Sequence, residues 1–142
     1  MINATDNLEL YGAFGTDNGS SSAVDNTIIG AKFTMGAATL GVQINEADSA
    51  AANGDEEFAA WGLTYAVSED MSVGVGQSEI NYENPATASQ ESTGISASYT
   101  MGSMTLAGVV NKVDNQNLTG ATGSGNQDVN TDTFEINLSF AF

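Results

Sequence analysis

No cysteine and no histidine occur in this chain. Their absence removes disulfides, thiolate nucleophiles, imidazole bases and most transition-metal sites together. Basic residues are nearly missing as well: Lys32 and Lys112 stand against 18 acidic residues, for a net charge of -16. Nucleic acid, itself a polyanion, is excluded as a partner on that balance. Charged residues make up 14% of the chain, against about 25% in an average soluble domain. Only 11 aromatics are present, and a single proline, Pro85, sits in a polar stretch. No apolar run approaches the roughly 20 residues of a membrane-spanning helix. The opening MINATDNLEL lacks the basic region and apolar core of a signal peptide, as expected of a mature form or a fragment.

What the chain does have is alternation with a period of two, almost throughout. The pattern predicts eight strands, over residues 7–15, 27–35, 38–46, 58–67, 71–80, 92–101, 103–112 and 132–142. Three connections are short, among them MGAA (35–38), SED (68–70) and MGS (101–103). The other four are long and polar, mostly acidic, and they alternate with the short ones. Gly30, Gly62 and Gly94 recur 32 residues apart, each opening a strand, a tight turn and a return strand. Such a hairpin repeat reads as an antiparallel up-and-down meander in one domain over residues 1–142. Short turns at one end and long loops at the other are the arrangement of a transmembrane β-barrel.

Sorting by parity separates two faces. One is apolar and carries Phe14, Phe33, Trp61, Tyr65, Tyr99, Phe134, Phe140 and Phe142 among aliphatic neighbours. The other is small and polar, with Glu9, Lys32, Gln43, Asn111, Glu135 and Asn137 among glycines, serines and threonines. Counted from the short-turn ends, Phe33, Tyr65, Tyr99, Phe140 and Phe142 fall low, while Phe14, Trp61 and Phe134 fall high. Two aromatic bands around an aliphatic zone are what two membrane interfaces select. The apolar set is therefore expected to face lipid and the polar set the lumen. A soluble barrel or sandwich, with the apolar set inside, is the competing reading.

The final strand TDTFEINLSFAF, with its terminal Phe142, resembles the C-terminal signature of Gram-negative outer-membrane β-barrels. The hairpins WGLTYAVSEDMSVGVG and GISASYTMGSMTLAGVVNK are similar to those of the general diffusion porins, especially the alphaproteobacterial type, over about residues 28–142. The resemblance implies an all-β, antiparallel up-and-down barrel in the bacterial outer membrane, passing small hydrophilic solutes. It also implies contact with outer-membrane lipid and lipopolysaccharide, recognition of the C-terminal strand by the barrel-assembly machinery, and a homo-oligomer. Porins of this family are typically 16-stranded trimers, so eight strands correspond to a closed small barrel or to half of a larger one. The family's eyelet arginines have no counterpart here.

Three candidate features remain. Glu9, Lys32 and Glu135 share the inward parity, and in a closed eight-stranded barrel Lys32 would bridge both carboxylates. The acidic loops suggest attraction of cations to the mouth, or divalent ions shared with lipopolysaccharide phosphates. GATGSG (120–125) lacks the lysine and the helix of a phosphate-binding loop and reads as a plain loop. No paired nucleophile and base is in sight, so no enzyme, cofactor or metal is expected. The expected function is passive diffusion with a cation preference; the alternative is a closed, non-conducting barrel with a structural or adhesive role.

Overall fold

A computed structural model describes residues 7–18, 23–84, 87–116 and 130–141, together with the backbone of 2–5. It forms one antiparallel sheet in strict chain order. A short β1 (Ile2–Thr5) precedes eight long strands: β2 (Leu8–Asp17), β3 (Val24–Met35), β4 (Ala38–Ser49), β5 (Glu56–Ala66), β6 (Met71–Tyr82), β7 (Gln90–Met101), β8 (Met104–Asp114) and β9 (Thr131–Phe140). The eight long strands are those expected from the alternation. They run higher than expected on the long-loop side, because β4 continues to Ser49 and β6 to Tyr82. There the ladder persists where both faces are polar, so the apolar signal used to read it has gone.

The turns explain how the meander is pinned. Gly36 and Gly102 take φ of +58° and +61°, which the two-residue hairpins Met35–Ala38 and Met101–Met104 require at their first central position. In the third turn Ser68 does the work through its side chain, whose Oγ accepts from the amides of Asp70 at 3.3 Å and Met71 at 3.1 Å.

The sheet is open, with β1 and β9 at its edges. Among the described residues β1 covers Leu8–Leu10 of β2, and β2 from Tyr11 upward has no strand on that side. Among the described residues no apolar side chain is buried. Leu10, Ile29, Phe33, Leu63, Ile95 and Phe134 are all exposed, at 39–68%. A water-soluble sandwich or barrel hides this face; here it is the outside.

Candidate functional site: a polar concave wall

The cross-strand register assembles each face row by row. On the apolar face one rung reads Leu8, Phe33, Leu40, Leu63, Val75, Ile95, Val110, Phe134 from β2 to β9. Leu8 is the lowest apolar position on β2, whose band rises to Phe14, whereas Phe134 is the highest on β9, whose band descends to Phe140. The apolar band therefore slides six residues along the strands while crossing seven strand steps. That is about 20 Å of slip over about 34 Å of width, so a band lying level makes the strands tilt by about 30°. Phe14, Trp61 and Phe134 sit at or within one outward position of the upper border. Phe33, Tyr65, Tyr99 and Phe140 follow the lower border in the same way. Phe142 lies outside the described residues.

Above the band, on this same face, stand Asp25, Glu46, Asp48, Glu57, Glu79, Glu91, Asp114 and Asp132. Glu46 faces Glu57 directly, and Glu79 faces Glu91. These eight carboxylates thus form a collar around the outside, where sequence reading placed an acidic mouth. Lys112 is the base among them, 2.8 Å from Asp114 Oδ2. At the border, Trp61 Nε1 donates to Gln77 Oε1 at 3.2 Å and Gln77 Nε2 donates to Glu91 Oε1 at 2.7 Å. On the inner face at the long-loop end, burial first and then the Glu56 carboxylate opposite raise the Tyr82 phenol above its ordinary pKa.

The polar face carries Glu9, Lys32, Gln43, Asn111, Glu135 and Asn137, as the parity predicts. One of its rungs is nearly bare: Glu9, Lys32, Gly41, Gly62, Gly76, Gly94, Asn111, Thr133. Lys32 Nζ lies 2.9 Å from Glu9 Oε2. Glu135 does not join them, because five strands separate β3 from β9 in the open sheet. The three-residue bridge expected from a closed barrel is therefore not formed. Tyr11 donates its hydroxyl to Gln43 Oε1 at 2.9 Å, and Gln43 Nε2 passes a bond to Asn45 Oδ1 at 2.9 Å. The Tyr11 ring lies across Gly30, where any Cβ would collide with it. That contact gives one glycine of the repeat its physical reason.

Two cavities open on the polar face. One, of about 380 Å³, lies over the glycine rung between Gly62 and Asn111. The other, of about 270 Å³, is lined by Thr64, Ser72, Ser96, Ser98, Glu135 and Asn137, with the inward side chains of Ala107 and Val109 of β8 forming its floor beside Glu135 and Asn137. A flat sheet would hold β5 and β9 about 19 Å apart, yet Thr64 and Asn137 line one cavity. Side chains this short cannot wall a cavity unaided, so the sheet curls toward its polar face. The groove on the apolar face, between Leu10, Ile44 and Trp61, is framed by large side chains over Ala31 and Ala59. Among the described residues no group of three acidic side chains gathers as a metal site.

A sheet that curls around a polar face, buries no apolar side chain among the described residues and carries a tilted apolar band is the wall of a transmembrane β-barrel. The chain belongs to the Gram-negative porin family, whose model matches residues 2–142. It is accordingly an outer-membrane channel protein. No curated protein and no solved structure matches the chain.

Proposed function

We propose that the concave polar face lines an aqueous path for small hydrophilic solutes and that this path prefers cations. The apolar residues of the opposite face, with their two aromatic borders, then meet lipid. The observation that carries this reading is the segregation along the level of the band: there the large aliphatic side chains lie on the outer face, while hydroxyls, amides and bare peptide groups dominate the inner one, whose larger apolar residues, Ile28, Phe58 and Ile80, stand near the long-loop end. Lipid gives the outer face its partner, and water gives the inner face its own.

The cation preference rests on the charges of the inner wall. Lys32 is neutralised by Glu9. Glu135 and Glu56 share that face, with no base within ion-pair distance among the described residues. The wall is therefore net negative, and the outer collar adds a field of the same sign at its rim.

The test is conductance of the purified protein in a planar bilayer under a potassium chloride gradient. A reversal potential on the cation side is expected, shrinking as salt is raised because screening shortens the reach of fixed charge. A reversal potential on the anion side overturns the preference. Absence of conductance from a correctly inserted protein overturns the channel reading and selects a closed structural barrel.

A further inference from the structure

The cavity between β5 and β9 has a composition the rest of the wall lacks. Glu135 supplies a carboxylate and Asn137, two residues along the same face of β9, an amide. Facing them are the hydroxyls of Ser72 and Ser98, 2.8 Å apart across a strand pair, and those of Thr64 and Ser96. Among the described residues neither Glu135 nor Asn137 makes a side-chain hydrogen bond or ion pair, so both have their capacity to spare. The one inward lysine, Lys32, is held by Glu9 far across the sheet. A carboxylate without a counter-ion, flanked by an amide and paired hydroxyls in a concavity, matches a solute that presents both an ammonium group and hydroxyls.

We propose that this cavity is a solute subsite for ammonium-bearing polyhydroxylated molecules, of which amino sugars are the simplest. The proposal rests on the concave face being the aqueous path. The ammonium donates charge-assisted hydrogen bonds to Glu135. Asn137 and the Ser72–Ser98 pair meet the hydroxyls, fixing orientation with a few convergent polar groups. At about 270 Å³ the cavity suits one sugar ring better than two. Its walls offer no aromatic platform: the inward-facing aromatics on the described strands are Tyr11, Phe58 and Tyr82, none of which lines it. Without stacking, a neutral sugar keeps only exchangeable hydrogen bonds, so discrimination falls on the charge. The adjoining glycine rung gives the subsite an approach. Added Cβ atoms at Gly41 and Gly62 would meet open space, with at most a carbonyl 3.9 Å away. Packing within the sheet does not require those two glycines, and glycine inside a strand marks places where something comes close to the backbone.

Glucosamine and glucose differ at one position and separate the ammonium from the rest. Calorimetric titration of the full detergent-solubilised protein is expected to show glucosamine binding at least tenfold more tightly than glucose, with the difference lost in Glu135→Gln and kept in the collar variant Glu57→Gln. In the bilayer, glucosamine is expected to block current at concentrations where glucose does not, again only with Glu135 present. Equal binding of the two sugars by the wild type overturns the subsite, and so does undiminished glucosamine binding in Glu135→Gln. A protein that binds glucosamine through Glu135 but carries no current upholds the subsite and overturns the channel reading instead.

Discussion

Two contacts on the polar face show how differently single residues are held. The Tyr11 ring fills the space above Gly30, and a Cβ there would have to push it aside and break its bond to Gln43. Gly30→Ala is expected to cost about 1–3 kcal/mol, the usual penalty of overpacking, and Tyr11→Ala to relieve most of it in the double variant. Urea unfolding in detergent micelles checks the coupling; additive single effects would show that ring and glycine are independent. The Glu9–Lys32 pair is the opposite case. Its side chains remain 37% and 47% exposed, so Lys32→Met is expected to cost less than about 1 kcal/mol and to lose even that in high salt. The parity reading placed Glu9, Lys32 and Glu135 on one face but drew them together by assuming closure. Distance across an open sheet is a property of register and curvature, and no residue type announces either.

At the scale of the strand, β9 gives the sharpest test because its two faces meet different surroundings. Ile136 lies inside the apolar band and Asp132 just above it. Ile136→Arg is expected to destabilise by about 2–4 kcal/mol and Asp132→Arg by about 0–1 kcal/mol, following the depth dependence of cations on a barrel's lipid face. Asn137→Arg, on the other face, is expected to leave stability nearly unchanged and to shift the reversal potential toward anions. Refolding into liposomes and bilayer recording measure the two effects; an equal loss of stability at 136 and 137 would contradict the assignment of faces. Period-two alternation made β2 to β9 legible because each strand keeps one apolar and one polar side. It could not mark where the strands stop, since from Glu46 to Ser49 and from Gln77 to Tyr82 the outward side is polar too. The cavity lined by Ser72, Ser98 and Glu135 was equally hidden. Its residues lie far apart in the chain, and serine in a strand signals nothing until a partner stands opposite.

For the whole molecule the open edges are decisive. In hydrocarbon an unpaired strand edge costs several kcal/mol per peptide group, so β9 and the upper part of β2 have partners in the membrane. Eight-stranded barrels are filled by their interior side chains, and a rung of Gly41, Gly62, Gly76 and Gly94 fills almost nothing. A wall this bare fits a lumen wider than that of a filled eight-stranded barrel. Cysteine at Ala13, paired in turn with cysteine at Glu135 or Asn137, is expected to form no disulfide on oxidation in the membrane; efficient cross-linking would demonstrate an eight-stranded ring. The carboxylate collar bears on a different stage of the protein's life. Its eight acids all stand beyond one border of the band, and Asp132, Asp114 and Glu91 follow the same slope as the aromatics. To enter the bilayer with its long loops leading, the sheet must drag every one of them through hydrocarbon once. Having crossed, they face the same barrier on the way back, and a barrel that has spontaneously unfolded must pay it before it can leave. A collar of eight carboxylates thus raises the barrier to leaving the bilayer by the way the sheet came in, and favours the orientation that keeps that end in water.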